Sequence, residues 1–244
     1  MNKYLKYIMF LLALLIFSAC SMKKSTRDVE LSKEDIPFTW WGDRTKNFGN
    51  SSYPISEKEI KEVVEDKYGL KLLPFFSEVR ELVTAEFDRD GVTSTDEVSI
   101  IAQENSFRLT AENRFKDAQG EIIVNVRTII EYEYYAKIGK VKVKNQDVDI
   151  RTTVTDDKFV GKDYNHFIEQ LVELLNISNS EKSVKDFNKK NAEDPKQFAG
   201  QEVMIYTSKL KGEKEFTFGK NLYVRYNGDG IPHSIFVGTK DYRY

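Results

Sequence analysis

From Glu97 to Ile150 the chain reads as β structure, and this stretch constrains the fold more than any other. Phe107, Leu109 and Ala111 alternate with polar neighbours. Ile122 to Tyr135 is a long run of Ile, Val, Thr and Tyr, and Val141, Val143, Val148 and Ile150 continue the alternation. Asp117 to Gly120 supplies a turn. The expectation is an antiparallel meander.

Helical signals lie on either side. Ser56 followed by Glu59 makes a capping box, with Ile55 and Ile60 placed as a hydrophobic staple. Ile60, Val63, Val64 and Tyr68 repeat at helical spacing and Gly69 is a stop, so the spacing predicts a helix over 57–68. Leu70 to Phe76, interrupted by Pro74, reads as a short buried strand. Residues 77–87 fit two periods: Val79, Leu82, Val83 and Phe87 suit a helix, while Val83, Ala85 and Phe87 suit a strand.

A second helix is expected from Tyr164 to Asn176 after Asp163 as N-cap, with Phe167, Ile168, Leu171, Leu174 and Leu175 on its apolar face. The polar stretch Ser178 to Lys196 carries a short solvated helix around Val184 to Asn191. Strands return at Glu202–Lys209, Glu215–Phe218, Leu222–Tyr226 and Ser234–Val237, with turns at Gly212 and at Asn227 to Gly230. The fold class is therefore α+β, with antiparallel sheet and two main amphipathic helices. Helix then strands occurs twice. Two α+β halves, 37–160 and 161–244, fit this order, and so does one domain with a shared sheet. No internal sequence repeat joins the halves.

The N-terminus carries a different kind of signal. Lys3 and Lys6 precede an apolar run from Ile8 to Phe17, which ends in Phe17-Ser18-Ala19-Cys20. A charged lead, a short apolar core and small residues before a cleavage point make a secretory signal peptide. The run is shorter than the about 20 apolar residues a bilayer span takes. Ser18, Ala19 and Cys20 resemble the lipobox of bacterial lipoproteins, with Phe17 where that family usually has Leu, Val or Ile. The resemblance covers residues 1–20. It implies diacylglyceryl transfer to the Cys20 sulfur and cleavage between Ala19 and Cys20. Residues 20–36 then form a flexible tether, and 37–244 the mature region. The alternative is an ordinary secretory signal with Cys20 as a free thiol. Trp40 and Trp41 follow the tether and are expected to cap the core rather than rest on a membrane.

The anchored reading places the protein at the extracytoplasmic face of the cell membrane. Frequent Lys, Asn and Ile hint at a low-GC Gram-positive source. The octapeptide Leu12 to Ala19 also resembles the mating pheromones cut from lipoprotein signal sequences in some Gram-positive bacteria.

Composition narrows the partners. Removal of residues 1–19 leaves 225 residues, enough for one large core or two modest ones. The chain has 37 basic and 39 acidic residues, and losing Lys3 and Lys6 takes its formal charge from −2 to −4. No strong basic field is available to draw in nucleic acid or anionic lipid. Cys20 is the sole cysteine, so an exported domain must rely on packing in place of disulfides. Aromatics at 13 % favour β structure around an aromatic interior.

The best metal candidate runs from Glu86 to Glu97. With Gly91 at the sixth position of a twelve-residue calcium loop, Glu86 takes position one, Asp88 and Asp90 positions three and five, Ser94 nine and Glu97 twelve. Such a loop needs a helix on both sides, whereas Glu97 to Gln103 reads as strand. The competing reading is an Asp-Gly turn. Calcium is thus the one cofactor candidate. His166 and His233 have no metal-spaced partner. The sequence holds no zinc-hydrolase pattern, no phosphate-cradling Gly-rich loop and no Gly-x-Ser-x-Gly elbow. Glu131, Tyr132, Glu133, Tyr134 and Tyr135 form an acidic aromatic segment, read as a half-buried strand. The leading expectation is a non-enzymatic surface lipoprotein that binds an envelope protein, peptide or glycan. An envelope hydrolase using Asp/Glu chemistry is the alternative, and it requires a cleft with close carboxylates, one of raised pKa.

Overall fold

Alternation becomes a ladder in the structure, a computed structural model that describes residues 53–67, 72–103, 106–135, 140–153, 159–174, 177 and 180–243. In chain order the elements are β1 (Tyr53–Pro54), α1 (Glu57–Lys61), α2 (Phe75–Phe87), β2 (Thr93–Gln103), β3 (Ser106–Lys116), β4 (Ile122–Tyr135) and β5 (Lys140–Thr152). Then come α3 (Tyr164–Leu174), α4 (Glu181–Glu193), β6 (Glu202–Thr207), α5 (Lys209–Glu215), β7 (Phe218–Tyr226) and β8 (Pro232–Asp241). The protein has an α+β fold. All strands join one antiparallel sheet in the order β1-β2-β3-β4-β5-β8-β7-β6.

The first meander, β2 to β5, is in register through apolar pairs: Val98 faces Ala111, Leu109 faces Ile130, and Val126 faces Ile150. The β3–β4 turn is fixed locally. Asp117 Oδ1 accepts from the backbone N–H of Gln119 and of Glu121, both at 2.9 Å, and Gly120 takes φ +85°, a region open to glycine at little cost. The second meander, β6 to β8, joins the first where β8 pairs with β5, Val237 facing Val148 and Ile235 facing Ile150. The two helix-then-strands halves thus share one sheet.

Helix ends follow their local chemistry. Ser56 Oγ accepts from the Glu59 N–H at 3.3 Å, and the Ser56 N–H donates to Glu59 Oε2 at 2.8 Å. The expected helix over 57–68 is α1 continued by a π-helical turn, Glu62–Lys67. Residue 68 lies outside the described residues. Asp163 Oδ1 accepts from the His166 N–H at 3.1 Å, capping α3 as expected.

Three readings need correction. Phe75 and Phe76, expected in a strand, open α2. The Ser77 and Glu78 N–H groups donate to the Pro74 carbonyl, so Pro74 stands at a helix start, where its missing N–H costs nothing. That settles residues 77–87 as helix, burying Phe75, Phe76, Val79, Val83 and Phe87. Next, the helix expected at 184–191 as solvated runs from Glu181 to Glu193 and buries Val184 and Phe187. Two apolar residues three apart suffice to dock an otherwise polar helix. Finally, the strand expected at Glu215–Phe218 begins only at Phe218, since Glu215 ends α5 and Phe216 caps it, and Gly212, expected in a turn, lies inside that helix. A Cβ there would stand 2.7 Å from the Gly219 nitrogen, so this glycine permits close backbone approach.

Helices and sheet enclose one apolar core, built from Val98, Ile100, Leu109, Val126, Ile130, Val148, Val224 and Val237 of the strands and from the inward faces of α1 to α4. A polar joint closes the end of α2 against the start of α3. The Asp163 N–H donates to Glu86 Oε1 at 2.9 Å, Lys162 Nζ to the Ala85 carbonyl at 2.6 Å, and Arg89 Nη1 to the Val160 carbonyl at 2.7 Å. Burial raises the Glu86 pKa above the ordinary carboxylate value, and the backbone N–H groups of Asp163 and Lys162 oppose that rise. Gly161 makes the fit possible, because a Cβ there would lie 2.2 Å from Glu86 Oε1 and 2.3 Å from the Phe159 ring. Gly161→Ala is expected to lower stability by about 1–3 kcal/mol through overpacking, read as a drop in the urea midpoint. An unchanged midpoint would show that the joint yields freely.

Candidate functional site

The side chains that alternate with the core positions form the second face of the sheet. Among the described residues α1 to α4 pack on the opposite side, and this face is polar. Successive strands place Glu97, Glu112, Arg127, Asp149, Phe236 and Tyr223 in one cross-strand row. Arg114 bonds Glu97 at 3.0 Å and also Glu112. Arg127 lies 3.1 Å from Glu112, Arg108 3.1 Å from Glu131, Arg151 2.9 Å from Asp149 and Arg225 2.7 Å from Glu202. Tyr223 and Phe236 stack at 4.9 Å and 16°, with the Arg225 guanidinium 5.2 Å from the Tyr223 ring centre. Exposed pairs of this kind are worth about 0–1 kcal/mol each, so the lattice adds little to stability. What it provides is a patterned surface.

One place on this face is hollow. Gly238 of β8 sits between Asp147 of β5 and Asn221 of β7. A Cβ on Gly238 would stand 2.4 Å from Asp147 Oδ1 and 2.8 Å from the Phe236 ring. The glycine therefore lets the carboxylate and the ring lean over the strand and leaves a groove of about 300 Å³, lined by Asn145, Asp147, Asn221, Phe236, Lys240 and Tyr242 among others. Its end wall comes from α5 and the chain after β8: a Cβ on Gly219 would meet the Tyr242 ring at 2.7 Å and Lys209 Cα at 3.1 Å.

Asp147 is the chemical centre of the groove. Burial raises its pKa to about 6. A hydrogen bond from Asn145 Nδ2, at 3.0 Å, pulls it down, Glu131 pushes it up, and Arg108 and Lys240 lower it. Asn221 Oδ1 accepts from Thr207 Oγ1 at 2.6 Å, which orients the amide. The Lys240 ammonium stands 5.3 Å from the Tyr242 ring centre. The groove thus offers a carboxylate, two amides, lysines and aromatic rings to a small polar ligand.

The calcium-loop residues are not brought together. Glu86 points into the joint with α3. Asp88 caps α2 in extended conformation and Asp90 is exposed in the turn at Gly91, whose φ is +78°. Ser94 and Glu97 lie on β2, and the Glu97 carboxylate is held by Arg114. Among the described residues, no group of three or more His, Cys, Asp or Glu is placed to hold a metal ion. His166 is exposed, 4.0 Å from Glu169. His233 is half-buried, with Nδ1 unpartnered. Tyr132 is buried against Phe107, ring centres 5.9 Å apart. Ala19, Cys20, Trp40 and Trp41 lie outside the described residues.

Sequence reasoning passed over Asp147 and Gly238. A signal was present, since a lone glycine within a strand pattern marks close approach of another group. Neither protein-family models, curated proteins nor solved structures gave a match to this chain.

Proposed function

We propose that the protein is a lipid-anchored extracytoplasmic binding protein that takes a ligand on the open face of its sheet, at the groove around Asp147. The observation that carries the binding role is the glycine-floored groove, where a half-buried carboxylate leans over Gly238 on a face that α1 to α4 leave free. A buried charge of raised pKa in a cleft marks a functional-site candidate. The anchor rests on Ser18-Ala19-Cys20 behind an apolar run. A thioether-linked diacylglycerol with a further acyl chain would hold the domain firmly, at about 0.8 kcal/mol per buried methylene.

Fractionation of cells expressing the wild type and Cys20→Ala, with intact masses, tests the anchor. A lipid-sized increment on the wild type, with the protein in membranes, is expected, together with loss of the increment in Cys20→Ala. A soluble, unmodified wild type would overturn the anchored reading.

A second reading has one observation in its favour. Glu131 pairs with Asn145, which places it diagonally from Asp147 on the same face, about 7–8 Å apart at that spacing. A carboxyl of pKa near 6 beside a second carboxylate is the arrangement an Asp/Glu hydrolase needs. Glu131 is engaged by Arg108 at 3.1 Å and Ser106 at 3.2 Å, which favours binding over catalysis. Glycoside or ester turnover that survives purification and disappears in Asp147→Asn would reverse that preference.

A further inference from the structure

We infer that α5 and the residue that ends it, Phe216, form a lipid-contacting tip that enters the interface of an anionic bilayer. The inference rests on the anchored reading for bringing a bilayer within reach, and goes beyond it in assigning the part of the domain that touches lipid.

The two most exposed large apolar side chains among the described residues both belong to α5 and its end: Leu210 is 80 % exposed and Phe216 69 %. Met204 on β6, at 47 %, and Ile122 on β4, at 43 %, are less so. The helix is oriented by Gly212, which faces the backbone of β7. Leu210 and Lys214, four residues apart, therefore share the side turned away from the sheet. Lys211 flanks them. Lys209 lies 4.0 Å from Glu213, so that pair is close to neutral. Glu215 is exposed as well, so the helix carries three lysines against two glutamates. Leu210 is thus framed by Lys211 and Lys214 on the side away from the sheet, an apolar residue among basic ones as in segments that lie in an anionic interface.

Phe216 is an independent observation. Its backbone lies at φ 51°, ψ 53°, and it is the only non-glycine with positive φ among the described residues. A glycine fills that position without strain. The ring there is mostly exposed and not part of the core, which leaves it available for a contact outside the domain. The expected tether, residues 20–36, would reach about 55 Å if fully extended, which keeps the domain within reach of the bilayer.

The test uses the full lipidated protein in vesicles of phosphatidylglycerol and phosphatidylcholine, and of phosphatidylcholine alone. Nitroxides are placed singly at Leu210→Cys, Phe216→Cys and, as the control, Ile122→Cys. The expected result in anionic vesicles is a shift at 210 and 216 from water-soluble nickel to oxygen accessibility, with none at 122. Labels at 210 and 216 that stay as open to nickel as the control overturn the tip, and a protein partner for this corner would give that result. If Cys20 proves unmodified, the anchored reading fails separately, and the tip is tested by flotation of the unlipidated full chain with the same anionic vesicles. Partitioning is then expected to fall about a hundredfold in Leu210→Ser/Phe216→Ser, or ~2.8 kcal/mol at 1.4 kcal/mol per decade. Absence of flotation, or flotation unchanged in the double variant, overturns the proposal.

Discussion

Phe87→Ala is expected to remove about 3–5 kcal/mol of stability, a large share of the about 5–15 kcal/mol that holds a typical domain. Phe87 is the last residue of α2 and 1 % exposed. Its ring centre lies 5.5 Å from Phe115 on β3, 5.9 Å from Phe159 and 5.4 Å, edge-on, from Phe167 on α3. One side chain therefore binds the first helical layer, the sheet and the second helical layer. Alanine leaves a cavity bounded by three other rings, each fixed by its own element, so collapse into it is limited. Each aromatic pair adds about 0.5–1.5 kcal/mol beyond area burial. A double-mutant cycle with Phe167 is expected to show coupling in that range. Urea unfolding measures both quantities. A loss below about 1 kcal/mol would mean that the rings rearrange freely and that Phe87 is not the junction.

Asp147→Asn is expected to stabilise the protein at pH 8 while abolishing ligand binding in the groove. The folded-state pKa of Asp147, about 6, lies above its ordinary value of 3.8. Well below pH 3.8 the carboxyl is protonated in both folded and unfolded chains, and the native state bears no penalty. As the pH rises toward 6 the unfolded chain gives up its proton first. The native state then loses relative stability until the folded carboxyl has also ionised. Two units would be worth about 3 kcal/mol in full. Asp147 is only half-buried, so solvent screening reduces the expected gain from Asn to about 1–2 kcal/mol. Guanidinium unfolding of the two proteins at pH 4 and pH 8 checks this, with the gain full at pH 8 and mostly lost at pH 4. Asn145, Glu131, Arg108 and Lys240 face the group. If Asn destabilises at pH 8, the attraction of Lys240 and Arg108 outweighs burial, and the carboxylate is structural. A residue whose charge lowers stability and whose removal costs binding has a functional reason to be charged.

Much of the local structure was legible because its causes are local. Ser56 and Glu59 specify a cap, Asp117 specifies a turn, and alternation from Phe107 to Ala111 specifies strand wherever the partner strands lie. Where two local readings were equally good, packing decided. Phe75, Phe76, Val79, Val83 and Phe87 have somewhere to be buried only as a helix. The β5–β8 pairing had no local signal, since it joins residues 145–151 to 234–240. The groove was hidden for the same reason. Gly238 is one glycine in a strand until the structure places Asp147 across from it. Helix α5 was missed because Lys209 to Glu215 carries one large apolar residue, Leu210, and that residue faces outward, so no buried periodicity exists to be read.

The position of β8 has a consequence in time. It comes last of the strands in sequence, yet it occupies the interior of the sheet between β5 and β7. A chain made from its N-terminus completes β2 to β5 while more than eighty residues, β8 among them, are still to come. During that interval β5 is an open edge, with backbone groups free to template another chain. Closing a contact of such long range is slow. Asn145, Asp147, Asp149 and Arg151, all on the polar side of β5, put charge and amide along that temporary edge, the kind of residue that blunts edge-to-edge pairing. The same residues that dress the finished surface thus guard the half-made sheet.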